Sequence, residues 1–148
     1  MPWFPARFAR IAVLALTLAA AAGAVGAADK VVTVPVKFAK GTTGATVKGA
    51  IKGYDSVEYL VVARAGQTLR LAITGSANAN VNVFPPRADG TPDPDASGLE
   101  LSAAYRNGRS SESAVLPANG TYRIQVYQFR AIARRGTVSK YSLKIEIR

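Results

Sequence analysis

The sequence contains no cysteine and no histidine. Without cysteine there is no disulfide, no thiolate nucleophile and no sulfur to carry a lipid after export. Without histidine there is no Ser-His-Asp triad and no imidazole general base, and the usual zinc-ligand sets are excluded as well. A glycine-rich phosphate loop leading into a helix is also missing. Acids are scarce, with 9 Asp and Glu against 19 Lys and Arg. Catalysis would have to rest on a carboxylate pair, as in glycoside hydrolysis. Asp89, Asp93, Asp95 and Glu100 lie in or beside a proline-rich stretch that is ill suited to holding such a pair. Neither an enzyme nor a cofactor is expected.

Long apolar runs are also lacking. The one at Ile11 to Ala22 is broken only by Thr17. At about 12 residues it falls short of the roughly 20 that span a bilayer. Arg7 and Arg10 precede it, and the small residues Gly23, Ala24, Gly26, Ala27 and Ala28 follow. That order is expected of a secretory signal peptide over residues 1–28, cleaved near Ala27 or Ala28. A retained membrane anchor is the lesser alternative. Residues 29–148 then form one domain of ordinary size. A core of that size holds by packing alone. The expected destination is the bacterial periplasm.

The formal net charge is +10. Losing Arg7 and Arg10 leaves 17 basic and 9 acidic residues, a net +8. Nucleic acid, an anionic envelope surface or a protein with an acidic cleft would suit such a charge. Export argues against nucleic acid, and no nucleic-acid motif is present.

The remaining sequence alternates. Val32, Val34, Val36 and Phe38 share one face of a first strand, and Pro35 marks that strand as an edge. Ala45, Val47, Gly49 and Ile51 line a second. Val57 to Ala63 is apolar on both faces, which predicts a central strand. Leu69 to Ile73, Asn80 to Phe84, Tyr122 to Val126 and Tyr141 to Ile147 alternate too. Leu99 to Tyr105 is a weaker candidate, followed by a turn signal at Asn107-Gly108. Turn signals recur roughly every 8–12 residues. The reading is all-β, an antiparallel β-sandwich of about eight strands, jelly-roll-like.

Two stretches suggest binding. Gln128 to Gly136 carries Arg130, Arg134 and Arg135 and no acid. Ala131-Ile132-Ala133 permits one helical turn, which would place Arg130 and Arg134 on one face, and Gly136 can end it. Paired guanidinium forks grip carboxylates or phosphates, although a solvated basic loop is the plainer alternative. The turn Lys52-Gly53-Tyr54-Asp55 offers an exposed tyrosine between charged neighbours, a typical anchor. Its structural alternative is a core-edge tyrosine with Asp55 bonding the local backbone. The Asp89 to Asp95 stretch has oxygen donors at alternate positions, which makes a calcium site conceivable. Its prolines and the lack of a bidentate glutamate at the right distance favour a solvated acidic loop instead.

Taken in order, several segments resemble the periplasmic inhibitors of g-type (goose-type) lysozyme. They are Phe38-Ala39-Lys40-Gly41, Ile51-Lys52-Gly53-Tyr54-Asp55 with Tyr59, and Ala65-Gly66-Gln67. Leu116-Pro117-Ala118 follows with Gly120 and Tyr122, then Val126, Gln128, Arg130, Ala133-Arg134 and Lys140-Tyr141. A broader resemblance is to β-sandwich modules appended to secreted bacterial peptidases, which usually lack the Gln128 to Arg134 pattern. The Arg87 to Gly98 loop is longer and richer in proline than the family pattern. The resemblance implies a small sandwich that blocks the cleft of a g-type lysozyme, with no metal and no membrane anchor after cleavage. It implies Tyr54, Arg130 and Arg134 as partner-binding residues, with Lys52, Asp55 and Gln128 in support. The alternative is a secreted glycan- or protein-binding sandwich module without inhibitory activity.

Overall fold

The computed structural model describes residues 28–106 and 109–148. The leader and the Asn107-Gly108 turn lie outside the described residues. The strands are β1 (Val31–Pro35), β2 (Gly44–Lys52), β3 (Ser56–Ala63), β4 (Thr68–Gly75) and β5 (Ala79–Phe84). They continue with β6 (Ser102–Arg106), β7 (Arg109–Val115), β8 (Gly120–Gln128) and β9 (Val138–Ile147). One short helix, α1 (Arg130–Ala133), joins β8 to β9.

These strands form two sheets. One has the order β1-β3-β8-β5 and the other β2-β9-β4-β7-β6. All pairings are antiparallel except β1 with β3, which run parallel in the register Val31↔Ser56 to Pro35↔Leu60. A parallel pair needs a crossover, and β2 supplies it by pairing with β9 in the opposite sheet. Pro35 falls at the end of edge strand β1, where a missing donor is tolerated.

The two-residue period separates core from surface. Tyr59 and Val61 from β3 and Tyr122, Ile124 and Val126 from β8 face Leu69, Leu71, Leu143 and Ile145 of the other sheet, all buried. Each such aliphatic side chain stabilises the fold by about 1.5–3 kcal/mol relative to exposure. A hydrogen bond crosses this core: the hydroxyls of Tyr59 and Tyr141 lie 2.8 Å apart. Burial, helped by that bond, holds the Tyr141 hydroxyl well above the usual tyrosine range. A side chain at Gly49, which pairs with Tyr141, would strike its hydroxyl at 2.5 Å.

β3 is central in its sheet, as its two apolar faces predict. Its outer face is less buried than its inner one: Val62 is 77% exposed and Leu60 is half-buried. β7 is a full strand where the sequence reading assigned none. Its sequence Arg-Ser-Ser-Glu-Ser-Ala-Val is too polar to show a period, and pairing with β4 and β6 sets it.

The end of the sandwich far from α1 explains several of the recurrent turns. The Tyr122 hydroxyl donates to the Ala118 carbonyl at 2.7 Å and accepts from the Ala118 N–H at 3.0 Å. This staples the turn before β8, in the manner of a tyrosine corner. Gly66 and Leu116 connect the β3–β4 turn to the same region: Gly66 N–H donates to Leu116 O and Leu116 N–H to Gln67 O, both at 2.8 Å.

Candidate functional site

The other end brings the two sequence-selected stretches together. β2 ends at Lys52, and Gly53 takes φ +58°, a conformation that favours glycine. That bend turns Tyr54 outward, leaving it 46% exposed. Asp55 N–H closes the turn on Lys52 O at 3.0 Å. The Asp55 carboxylate does not bond its local backbone, as the structural alternative had it. It accepts the N–H of Lys30 at 2.9 Å, tying the chain before β1 to this turn.

The basic stretch forms the expected single helical turn. Phe129 O accepts the N–H groups of Ile132 and Ala133, both at 2.9 Å. Arg134 N–H donates to Arg130 O at 3.1 Å, and Arg134 keeps a right-handed helical backbone. Arg130 and Arg134 therefore rise from one face. Gly136 ends the turn at φ +66°. Ala133 is buried and seats the turn on the sandwich, while Arg130, Arg134 and Arg135 are exposed. Among the described residues none of these three is in an ion pair.

Gln128 joins the two turns. It is 6% exposed, and its Nε2 donates to Gly53 O at 3.1 Å and Thr137 O at 2.9 Å. Its Oε1 accepts from Ser139 Oγ at 2.7 Å, and Ser76 Oγ donates to Ser139 Oγ at 3.1 Å. Gly53 N–H also donates to Thr137 O at 3.0 Å. The turns are close enough that a methyl group on Gly53 would lie 3.4 Å from Ala133 O. With its amide so engaged, Gln128 is built to hold the turns rather than to reach outward.

A shallow groove of about 650 Å³ results, lined by Asp29, Tyr54, Gln128 and Arg130. Lys52 and Asp55 flank it in the Tyr54 turn. Two neighbours escaped the sequence reading. Asp29 forms one wall. Phe129, at the start of α1, is 57% exposed and meets Tyr127 edge-on, with ring centroids 5.7 Å apart. The available signal for Phe129 was its parity: Tyr127 and Phe129 both fall on the outward face that β8 shares with Arg123 and Gln125.

The Arg87 to Gly98 loop lies elsewhere, over the outer face of the four-stranded sheet. Arg123 holds it, donating Nε to Asp93 O at 3.0 Å and Nη2 to Pro94 O at 3.3 Å. The same guanidinium pairs with Glu58 and stacks over Phe84 at 4.6 Å. Arg123 is five residues from Gln128, about 17 Å along an extended strand. The loop carboxylates serve the loop itself. Asp89 accepts from the Thr91 hydroxyl at 2.6 Å and N–H at 2.9 Å, which keeps its carboxyl below the usual range. Asp93 accepts from Asp95 N–H at 3.0 Å. Among the described residues no cluster of three acidic side chains that could hold a metal occurs.

The class is thus a two-sheet β-sandwich that presents exposed arginines and an exposed tyrosine beside a groove at one end. No family model matches the chain. It is 35% identical over 115 residues to the inhibitor of g-type lysozyme of Escherichia coli strain K12, covering 78% of this chain and 80% of that one. The crystal structure of Aeromonas hydrophila PliG, a periplasmic inhibitor of g-type lysozyme, superposes with a TM-score of 0.69 at 46% identity. That match covers 82% of this chain and 100% of that one. Salmonella Typhimurium PliG gives a TM-score of 0.62 at 34% identity, covering 79% and 98%. The chain belongs to the family of periplasmic inhibitors of g-type lysozyme.

Proposed function

We propose that the protein inhibits a g-type lysozyme in the bacterial periplasm by filling the enzyme's substrate cleft. The observation that carries this reading is the groove end itself. Tyr54 and Arg130 line one groove, and the buried amide of Gln128 ties their turns together. A lysozyme cleft holds carboxylates that cut a glycan. Two guanidinium groups from one helical turn, in no ion pair among the described residues, are suited to those acids. Charge-assisted bonds of this kind are about twice as strong as neutral ones.

In this reading Arg130 and Arg134 contact the acids, and Tyr54 supplies the apolar anchor with a polar tip. Lys52 adds charge beside Tyr54. Asp55 acts through its hold on Lys30, and Gln128 through its hold on both turns. Inhibition is then occlusion, with no turnover. A sandwich can do this well because its site sits on turns pinned to rigid strands.

The test is lysis of cell-wall suspensions by goose-type and chicken-type lysozyme with and without the purified protein. Slowed lysis by the goose-type enzyme alone is expected. Unaffected lysis by both would sink the proposal and leave a binding module of another specificity.

A further inference from the structure

Asp29 is the wall of the groove that belongs to the N-terminal end of the described chain. Its backbone is not free to leave. Lys30 N–H donates to the Asp55 carboxylate at 2.9 Å, and Lys30 O accepts from Ser56 N–H at 2.9 Å. Val31 then enters β1 opposite Ser56. Two consecutive residues are thus pinned to the turn that carries Tyr54.

The sequence places the expected leader cleavage after Ala27 or Ala28. Either cut leaves the new α-amino group on Asp29 or one residue before it. One residue spans at most about 3.6 Å. The processed terminus therefore starts at the rim of the groove, whichever cut is used. In the precursor, the leader would leave the fold at that same rim. The terminal amine has an ordinary pKa of about 7.7–8.0, so at neutral pH its positive charge offsets the negative charge of the Asp29 carboxylate at the groove rim.

We infer that Ala28 and Asp29 belong to the partner-binding surface, so that leader removal completes it and chain added ahead of Ala28 obstructs it. The partner is the acidic cleft of the lysozyme, and the inference rests on the function proposed above. The fold supplies its own control. Arg148 exchanges backbone bonds with Thr68 at 3.1 and 2.7 Å, at the opposite end of β9. β9 runs from Val138 to Ile147, so its ends are about 30 Å apart at about 3.4 Å per residue.

The experiment compares four purified forms against goose-type lysozyme, with melting temperature as the folding check. They are the chain starting at Ala28, that chain with a compact carrier domain fused directly ahead of Ala28, the same carrier fused after Arg148, and a form with a twelve-residue Gly-Ser extension ahead of Ala28. Mass spectrometry of the exported protein fixes the natural terminus. The N-terminal carrier should weaken inhibition by about tenfold or more, as loss of a central contact region does. The Gly-Ser extension should weaken it less, and the C-terminal carrier should leave it unchanged. Equal inhibition by all four forms overturns the inference while the inhibitory function stands. A natural terminus well ahead of Ala27 overturns it as well. Absence of inhibition by every form, the unextended chain included, instead defeats the proposed function, and the inference with it.

Discussion

Gln128 Nε2 lies 3.1 Å from the carbonyl oxygen of Gly53, a contact across 75 residues of sequence. It makes one rigid unit of two turns from different strands. Replacing Gln128 with leucine keeps the volume and removes the bonds to Gly53, Thr137 and Ser139. Buried groups left unpaired cost about 1–3 kcal/mol. Gln128→Leu should therefore lower the melting temperature and weaken inhibition together. Calorimetry and an inhibition titration check this. An unchanged melting temperature with lost inhibition would make Gln128 a contact residue after all.

Glu112 provides a pH-dependent effect at a residue that does not line the groove. It pairs across from the core residue Leu71, and its Oε2 is buried without a hydrogen-bond partner among the described residues. It borders a cavity of about 300 Å³ that Thr74, Ser76 and Asn80 also line. Burial raises its carboxyl above the ordinary glutamate value. The neutral form is thus the one the fold favours. Its stabilising contribution is present in full below the ordinary value and is lost as pH rises through the raised native value. Glu112→Gln should raise the melting temperature at neutral pH by about 2–4 °C, under about 1 kcal/mol given solvent screening. The difference from the parent should close at acidic pH. Thermal scans across pH measure it, and a gain that persists in acid would refute the assignment.

The sequence made the core legible because apolar and polar side chains alternate in β2, β4, β8 and β9. The single helical turn was legible too, from Ala131-Ile132-Ala133 and the glycine at 136. Which strands share a sheet was not. The parallel partnership of β1 with β3 depends on β2 crossing to the other sheet, and no local pattern encodes that. β7 was hidden because an edge-region hairpin needs little apolar period. At the site, the residue types were legible and their roles less so. Gln128 read as a supporting contact because the family resemblance implied it, and its burial was not visible in the sequence. Asp29 read as the first residue after the leader, and it takes the bonds of Lys30 to Asp55 and Ser56 to bring it to the groove.

The three arginines at α1 should separate contact from steering. Arg130 lines the groove, Arg134 stands one helical turn on, and Arg135 follows outside that spacing. Losing one partner of a desolvated charge pair costs about 2–5 kcal/mol, mostly in off-rate. Arg130→Ala and Arg134→Ala should each weaken inhibition at least about tenfold, which corresponds to about 1.4 kcal/mol. Arg135→Ala should change little. All three are exposed, so the melting temperature should move by no more than about 0.5 kcal/mol allows. Equal, small and salt-sensitive losses would mean that the loop only steers the encounter.

Phe129 is where an apolar contact should add to the charged ones. Its backbone does structural work, since its carbonyl accepts the first two N–H groups of α1. Its ring does not share that work. It is 57% exposed and leans edge-on against Tyr127, directly before Arg130. Alanine keeps the backbone bonds, so Phe129→Ala should leave the melting temperature nearly unchanged. Aromatic residues, Phe included, are enriched at the cores of interfaces, and truncating a residue that dominates an interface costs about 2 kcal/mol or more. Inhibition should therefore fall by about tenfold or more. The loss should also differ in kind from that of Arg130→Ala. Apolar burial is not screened by salt, whereas the steering part of a charge interaction, which acts through on-rate, weakens as the Debye length shrinks to about 3 Å at 1 M. Raising ionic strength should shrink the on-rate part of the Arg130→Ala penalty, leave its off-rate part, and leave the penalty of Phe129→Ala in place. Inhibition constants measured for both variants at low and high salt test this directly. If Phe129→Ala inhibits as well as the parent at both, the ring is surface ornament and the apolar anchor is Tyr54 alone.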